Sequence, residues 1–401
     1  MTDSFRISTS TSTADGTAAA TRDAAGAVRE ELGDAACDLA FVFFTGEHSS
    51  RADVLLECIE DELAPRHVVG VNAEATIGGR REYEGATSVT VWGAALPGAE
   101  LASYELEYSR TADGDSFLGL PPLARADGDA APRTLLLFGD PFTFPADLFL
   151  ERLADEDTAL RVLGGLASGV SQPRESRLII GGSARGSPRV REDGAVAVLI
   201  SGGVRVQAVV SQGCKPVGRP LVVTRAEGQR IDEIGGSPAF EKLREQLEAL
   251  SPADQALIRY GLQLGLAIDA AQESRERGDF IVRNLIGVHR DAGSVVVADR
   301  VRAGQTVQLH LRDADSASDD LHALLRRSQD AGRTPLGGLL FSCNGRGTRL
   351  FTEANHDARA VARELGEVPL AGFFAAGELG PVGGRNFLHG FTASLALFYA
   401  G

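Results

Sequence analysis

Residues 38–46 read DLAFVFFTG, and the pattern recurs as RTLLLFGD at 133–140 and as LGGLLFSCNG at 336–345. Each stretch is a short apolar run ending in small or polar residues, which is typical of a strand buried on both faces. A segment with apolar residues every three or four positions follows each run, as Leu55 and Ile59 illustrate, and predicts an amphipathic helix. The sequence therefore contains three copies of a strand–helix unit.

Each predicted helix leads into a second apolar run that contains a glycine. The three glycines, Gly70, Gly164 and Gly372, fall in register when the copies are aligned. Strand, crossover helix and strand form a βαβ pattern. We therefore predict an α/β protein with mixed sheets covered by helices, organised as two pseudo-related modules of repeated strand–helix–strand units.

A further predicted strand closes each copy. These strands begin as EGATSV, DGAVAV and HGFTAS, so that Glu84, Asp193 and His389 stand at matched positions before a glycine. Two copies keep an acid where the third has a histidine. The difference indicates either a specialised His389 or a solvated histidine at the start of a strand.

The repeat is interrupted between the second and third copies. Strands and helices outside the pattern are predicted there, including a helix over residues 251–268 that opens with Ser-Pro. The best single module boundary is near Gly236, with Gly203 as the alternative. We predict a disordered, Ser/Thr-rich lead over residues 1–16, a first module over 17–236 and a second over 237–401.

Composition argues against several classes of protein. The 401 residues carry a formal net charge of −15, whereas binding of nucleic acid needs a clustered basic surface. Neither a signal peptide nor an apolar run of about 18 residues is present, so we expect a cytoplasmic protein that does not insert into a membrane. Four scattered cysteines without a C-x-x-C pair argue against a zinc site and a disulfide framework.

Cys343 ends the first strand of the third copy and lies thirteen residues before His356. A nucleophilic cysteine needs a lowered pKa and a base within hydrogen-bond reach, and His356 is the candidate base. The alternative is a small, buried, apolar cysteine at a strand end.

The turn after Cys343 contains two glycines that flank Arg346. Such a turn is either an ordinary tight turn or an anion-binding nest, in which Arg346 could bind a carboxylate bidentately. Glu378 follows the second strand of the same copy and suits an ammonium group or a pair with Arg346. Together Arg346 and Glu378 would match the two ends of an amino acid, whereas a helix cap or a surface ion pair is the alternative for Glu378.

Polar residues also interrupt the apolar runs between the second and third copies. Arg283 and Asn284 lie in FIVRNLIGV, and Arg312 and Asp313 lie in VQLHLRDA. Buried polar groups need partners, so these four either line a ligand cleft or link the two modules. Gln212 and Cys214 lie in SQGCKPVG, which predicts a turn from which Gln212 projects.

The ordered set of motifs resembles the FIST (F-box and intracellular signal transduction) family over nearly the whole chain. The motifs are FVFFTG, VSQGCKPVG (210–218), FIVRNLIGV (280–288), FSCNGRG (341–347) and GFFAAGELGPVGG (372–384). The resemblance implies a FIST N-terminal module, a FIST C-terminal module and a sensory role in signalling. It also implies small ligands, with amino acids among those proposed, and the family has haem-binding members.

We therefore expect a sensor that binds an amino-acid-like metabolite and signals through a separate partner protein, since no F-box, kinase or cyclase segment is found. The candidate ligand-binding residues are Cys343, Asn344, Arg346, Glu378, His389, Gln212, Cys214, Asn284 and Arg283. We assign no catalytic residue and no metal ligand.

Three other functions stay open. One is a haem-binding sensor with His389, His356 or Cys343 as axial ligand, although a C-x-x-C-H attachment motif is absent. The others are a hydrolase that uses Cys343 and a protein-interaction scaffold.

Overall fold

The computed structural model describes residues 4–112, 114–121, 133–156, 159–184, 188–269, 278–329 and 333–401. Its helices are α1 (Thr17–Leu32), α2 (Gly46–Ser49), α3 (Ala52–Leu63), α4 (Ala146–Glu156), α5 (Ala239–Glu248), α6 (Pro252–Leu257), α7 (Ala314–Ser328) and α8 (His356–Leu365), with short 3-10 turns at Ile258–Tyr260 and Gly347–Arg349.

The strands of the first two thirds of the chain are β1 (Arg6–Ser12), β2 (Leu39–Thr45), β3 (His67–Ala73), β4 (Thr76–Gly78), β5 (Arg81–Glu82), β6 (Val89–Ala95), β7 (Ala99–Thr111), β8 (Gly114–Leu118), β9 (Thr134–Gly139), β10 (Arg161–Leu166), β11 (Leu178–Gly181), β12 (Arg189–Arg191), β13 (Ala195–Gly202), β14 (Val204–Gln212), β15 (Cys214–Glu227), β16 (Arg230–Ile234), β17 (Ser237–Pro238) and β18 (Leu262–Ala267). The remaining strands are β19 (Phe280–His289), β20 (Ser294–Val297), β21 (Thr306–Arg312), β22 (Gly337–Cys343), β23 (Leu370–Ala375), β24 (Glu378–Val382), β25 (Arg385–His389) and β26 (Thr392–Ala400).

The chain divides into two compact units. Unit 1 comprises residues 1–210, 321–388 and 392–401, and unit 2 comprises 211–320 and 389–391. These limits differ from a cut near Gly236, because β15 and β16 precede Gly236 yet pair with β21 and β20, which follow it. The module boundary at 236 stays a prediction about the sequence repeat.

All three predicted copies form in unit 1, and they share one strand arrangement. Copy 1 consists of β2, α3, β3 and β6, copy 2 of β9, α4, β10 and β13, and copy 3 of β22, α8, β23 and β26. In each copy the first strand pairs parallel to the second and antiparallel to the closing strand. The predicted mixed sheets and βαβ units are thereby confirmed.

The copies exchange hairpins with one another. The β4–β5 hairpin of copy 1 extends the sheet of copy 3, where β4 pairs with β23. Strands β24 and β25 of copy 3 extend the sheet of copy 2 beside β10, and β11 and β12 of copy 2 extend the sheet of copy 1 beside β3. The exchange is cyclic, so every sheet of unit 1 is completed by a different copy.

Alternate side chains of the central strands divide between two cores. Phe41 and Phe43 of β2 join an inner core that also contains Phe138 of β9 and Phe341 of β22. The Phe43 ring contacts the Phe138 ring edge-on, with centroids 5.5 Å apart. Side chains on the opposite faces pack under α1 and α3 for copy 1, α4 for copy 2, and α7 and α8 for copy 3. Burial on both faces explains why these strands are continuously apolar.

The three aligned glycines mark a close approach between the first and second strand of each copy. A Cβ added at Gly372 would lie 1.8 Å from the carbonyl oxygen of Leu340, and at Gly164 it would lie 2.0 Å from that of Leu137. The same addition at Gly70 would lie 2.4 Å from an oxygen of Val42. The register therefore reflects a steric requirement that all three copies share.

We expect Gly372→Ala to lower the free energy of unfolding by about 3 kcal/mol, the upper end of typical overpacking costs. Urea denaturation measures the change. Gly26→Ala in α1 is the control, because nothing lies within 4 Å of the added Cβ and alanine favours a helix over glycine by about 1 kcal/mol. Equal effects of the two substitutions would contradict the steric explanation.

The N-terminal lead differs from the expected disorder over residues 1–16, because Arg6–Ser12 forms the edge strand β1 along β6. Hydroxyl groups add contacts to the neighbouring strand: Thr9 Oγ1 donates to the Val91 carbonyl at 3.1 Å, and Thr11 Oγ1 lies 2.8 Å from Thr90 Oγ1. Serine and threonine therefore stabilise this strand through cross-strand hydrogen bonds.

Strand pairing corrects the proposed match of Glu84, Asp193 and His389. The residues next to the paired starts of β6, β13 and β26 occupy equivalent places in the ladders, and they are Ser88, Gly194 and Thr392. The turns before these strands differ in length, so aligning the first glycine gave the wrong register. His389 consequently has no equivalent acid in the other copies.

Unit 2 is a ring of strands in the order β15, β21, β18, β19, β20 and β16, closed by pairing between β15 and β16. The helix predicted over 251–268 is shorter than expected. Ser251 caps α6, but Leu262–Ala267 forms β18 in the core of the unit. Within the described parts of both units, no helix has the length and apolarity needed to span a bilayer.

Candidate functional site

The turn after β22 holds the Cys343 sulfur in a polar setting. Cys343 is 5% exposed, and the backbone N–H of Gly345 donates to its Sγ at 3.4 Å. The backbone N–H of Arg346 donates to the Cys343 carbonyl at 2.8 Å, which closes the turn. Because β22 and β23 are parallel, their carboxyl ends meet at this edge, where α/β folds commonly bind ligands.

Arg346 points inward from the turn and is fully buried with Asp357 of α8, which is 1% exposed. The guanidinium donates bidentately to the carboxylate, from Nε to Oδ2 and from Nη2 to Oδ1, at 2.7 Å each. Ser342 Oγ donates to Oδ2 at 2.7 Å. Burial acts to raise the pKa of Asp357, but Arg346 outweighs it and holds that pKa well below its usual range.

Glu82 reaches this site from the exchanged hairpin of copy 1. Its Oε1 accepts from the backbone N–H of Ala358 at 2.9 Å, in the first turn of α8, and its own N–H donates to Asn355 Oδ1 at 2.8 Å. Burial and the neighbouring Asp357 carboxylate raise the pKa of Glu82 to about 8. Copy 1 therefore contributes a carboxyl group that is neutral near pH 7.

Glu378 is the first residue of β24 and is fully buried. Its Oε2 accepts from the Thr392 backbone N–H at 3.2 Å and from Thr392 Oγ1 at 2.8 Å. The Cys343 thiol donates to the same carboxyl group, and Arg346 also stabilises its charge. Burial nevertheless dominates and raises the pKa of Glu378 to about 8.

Three of these buried side chains each keep one polar atom without a hydrogen-bond partner among the described residues. The atoms are Oε2 of Glu82, Nη1 of Arg346 and Oε1 of Glu378. Buried polar atoms are nearly always satisfied in folded proteins, so three such atoms on neighbouring residues require an explanation. We refer to Glu82, Cys343, Arg346, Asp357 and Glu378 as the Arg346 cluster.

An exposed rim of ionic and hydroxyl contacts lies on the same turn. Thr348 donates to the Glu84 carboxylate from its backbone N–H, at 3.0 Å to Oε1, and from Oγ1, at 2.8 Å to Oε2. Arg349 Nη1 donates to Glu74 Oε1 and to the Asn344 carbonyl, at 2.6 Å each. The copy 1 segment 74–84 thus holds the turn from outside through Glu74 and Glu84, while Glu82 holds α8 from within.

His356 begins α8 beside the cluster. Its Nδ1 lies 2.9 Å from Asp357 Oδ1, and its ring stacks on Phe351 with centroids 3.5 Å apart. These contacts fix the orientation of the imidazole. The carboxyl group that accepts from the Cys343 thiol is that of Glu378.

The structure brings together four of the predicted residues: Cys343, Asn344, Arg346 and Glu378. The other five belong to unit 2, where they make local contacts or lie exposed. Gln212 Nε2 donates to the Phe280 carbonyl at 2.7 Å, and Arg283 forms an ion pair with Asp299 at 2.7 Å. Cys214 is buried at the start of β15, and Asn284 is exposed on β19. His389 is the last residue of β25. A shared ligand site for all nine residues stays a prediction.

Sequence reasoning missed Glu82 and Asp357. Glu82 lies in RREYEGA, which reads as an ordinary charged turn, and only the hairpin exchange brings it to copy 3. Asp357 reads from the sequence only as the residue that follows His356. The available signal was the spacing of Arg346 and Asp357, which places a charged residue at each end of the loop from β22 to α8.

Comparison with known proteins gives consistent matches along the chain. The FIST N domain model matches residues 38–237 and the FIST C domain model matches residues 239–381. An uncharacterized protein of Mycobacterium bovis is 41% identical over 379 residues, which is 94% of each chain. An uncharacterized protein of Mycobacterium tuberculosis is 39% identical over 395 residues, which is 98% of this chain and 100% of the relative.

FIST domains are sensory domains of signal-transduction proteins. The two domain matches are contiguous, and together they span most of the chain and contain every residue of the Arg346 cluster. The chain therefore belongs to the FIST family and carries a FIST N domain followed by a FIST C domain.

Proposed function

We propose that this FIST protein is a cytoplasmic sensor that binds an amino-acid-like metabolite at the Arg346 cluster and passes the signal to a separate protein. The observation that carries the proposal is the set of three buried, ionisable side chains with one unsatisfied polar atom each. A carboxylate on the ligand would accept from Arg346 Nη1, and an ammonium group would donate to Glu378 Oε1. Both groups belong to any free α-amino acid.

The sequence predicts that Arg346 binds a ligand carboxylate through two hydrogen bonds, but in the structure only one of its N–H groups is left for a ligand. Asp357 already occupies Nε and Nη2 of Arg346, so one guanidinium N–H group remains for a ligand carboxylate. Glu378 Oε2 is likewise occupied by Thr392. Each end of the ligand would therefore form a single charge-assisted hydrogen bond in a buried setting, where such bonds are strong.

We infer that the conformational change needed to admit the ligand is also the change that signals binding. Arg346 and Glu378 are fully buried, so a ligand reaches them only when the rim opens. The Arg349–Glu74 and Thr348–Glu84 contacts hold that rim, and the Arg349 side chain is 58% exposed. A ligand shifts such an equilibrium by its differential affinity for the two states. The moving parts would be the turn at 343–349 and the segment at 74–84.

The test is a thermal-shift screen with the proteinogenic amino acids, followed by calorimetric titration of any that stabilise the protein. We expect at least one stabilising amino acid, and Glu378→Gln should weaken its binding by at least about tenfold, or about 1.4 kcal/mol. Glu367→Gln is the matched control, because Glu367 forms an exposed pair with Arg80.

Two results would refute the proposal. One is the absence of any amino acid that raises the melting temperature. The other is unchanged affinity in a folded Glu378→Gln protein, since glutamine keeps the side-chain shape but cannot ionise when an ammonium group binds beside it.

A further inference from the structure

The Cys343 sulfur has four polar neighbours. One is Asn344, whose Oδ1 accepts from the thiol at 3.8 Å, and the other three have distinct chemical capacities. The Gly345 N–H donates to it, the Arg346 guanidinium interacts with it electrostatically, and the Glu378 carboxyl group accepts its proton in a hydrogen bond. A cation and N–H donors stabilise a thiolate, which is the nucleophilic form of cysteine. A carboxyl group in direct contact can remove the thiol proton and return it to a leaving group.

The unsatisfied atoms of the cluster belong to two of these neighbours. Arg346 Nη1 is an N–H donor and Glu378 Oε1 is an oxygen acceptor, both on fully buried side chains. A molecule of two oxygen atoms with O–H groups can accept from the first and donate to the second. Because Cys343 is 5% exposed, the oxidant must be small.

We propose that Cys343 is a hydroperoxide-reactive cysteine that hydrogen peroxide converts to sulfenic acid, with Glu378 as its proton shuttle and Arg346 as its electrostatic support. The ionised form of Glu378, which is a minor fraction at pH 7 and grows as the pH approaches about 8, takes the thiol proton, and the thiolate attacks one peroxide oxygen. An S–O bond forms as the O–O bond breaks, and the departing hydroxide takes the proton from Glu378 and leaves as water. The sulfur is oxidised and the peroxide is reduced, so a thiol and hydrogen peroxide give a sulfenic acid and water.

The other three cysteines provide internal comparisons. All four lie among the described residues as buried thiols outside any disulfide. Burial raises the pKa of the Cys37 thiol to about 12, and burial also raises that of Cys58. Thiols with raised pKa values react slowly with peroxides because little thiolate is present. Selective oxidation of Cys343 is therefore the expected signature.

This inference goes beyond the proposed metabolite sensor and does not depend on it, because peroxide chemistry requires no amino acid. The experiment treats the full-length protein with hydrogen peroxide in the presence of a cyclic 1,3-diketone that traps sulfenic acids. Peptide mass spectrometry then measures the labelling rate of every cysteine. We expect Cys343 to be labelled at least about tenfold faster than Cys37 in the same wild-type molecule.

Variants test the proton shuttle separately. Glu378→Gln should slow labelling of Cys343 by about tenfold or more, since general acid–base groups typically contribute about a hundredfold or more to catalysed reactions. Glu367→Gln, in the exposed pair, should leave the rate unchanged. Circular dichroism confirms that each variant is folded.

Equal labelling of Cys343 and Cys37 in the wild-type protein would overturn the proposal, and this comparison does not rely on any variant folding. An unchanged rate in folded Glu378→Gln would remove Glu378 as the shuttle. If no amino acid binds the wild-type protein but Cys343 is still oxidised selectively, the metabolite proposal alone is refuted.

Discussion

Replacing Asp357 with asparagine should lower the free energy of unfolding by about 3–5 kcal/mol, because the fully buried Arg346 guanidinium then loses its counter-ion. Asparagine preserves the side-chain shape, so the change isolates charge from packing. Urea denaturation at pH 7 measures the loss. A loss below about 1 kcal/mol would contradict the prediction, since that is the range of exposed ion pairs.

The matched control is Glu367→Gln. Glu367 and Arg80 form an ion pair at 3.2 Å, but their side chains are 79% and 63% exposed. Solvent screening limits such a pair to about 0–1 kcal/mol. Acidification supplies a second check, because a carboxyl group whose pKa is lowered by folding loses its stabilisation as the pH falls below about 4. Asp357→Asn should lack this component of acid sensitivity.

Stability should also decrease as the pH rises from about 5 to 8, because Glu82 and Glu378 hold their protons in the folded protein and lose them in the unfolded chain. The folded pKa of each is raised from 4.5 to about 8. A raised pKa stabilises the fold at low pH, and that stabilisation is lost as the pH increases toward the folded value. The expected slope is about 1.4 kcal/mol per pH unit for each group.

The measurement compares urea unfolding of wild type and Glu378→Gln at four pH values from 5 to 8. Glutamine does not titrate, so the stability of wild type relative to the variant should fall steadily across this range. Glu82→Gln should behave in the same way, although its carboxyl group interacts with Asp357. A difference that is constant with pH, or that grows in favour of wild type, would show that these carboxyl groups are ionised in the fold.

The parts of the fold set by local pattern were accessible from the sequence. Continuous apolar runs predicted the central strands, and the three glycines could be aligned, because both signals lie within one copy. The close approach that these glycines allow became clear only from the structure. The secondary structure around Leu262 could not be decided from the sequence, since LQLGLA suits either a buried strand or a helix. Only pairing with strands far along the chain decides between them.

Only some residues of the Arg346 cluster could be predicted from the sequence, for the same reason. Arg346, Cys343 and Glu378 follow strands that the sequence reveals. Glu82 enters through β4 and β5, whose bounds span three and two residues, and nothing local specifies which sheet such short strands join. Residues contributed by hairpin exchange have no periodic signal. The sequence alone therefore could not show that the carboxyl groups of Glu82 and Asp357 are buried at this site.

The cyclic exchange of hairpins sets the order in which the protein can mature during synthesis. During synthesis, β3 can pair with β11 as soon as copy 2 has been translated. In contrast, β10 can pair with β24, and β4 with β23, only after the segment near the end of the chain has been translated. Contacts across nearly 300 residues fold slowly, because the ordering entropy is spent before those contacts form. Nascent chains would therefore expose unpaired edges until translation is almost complete. This FIST protein should depend strongly on chaperones and tolerate C-terminal truncation poorly.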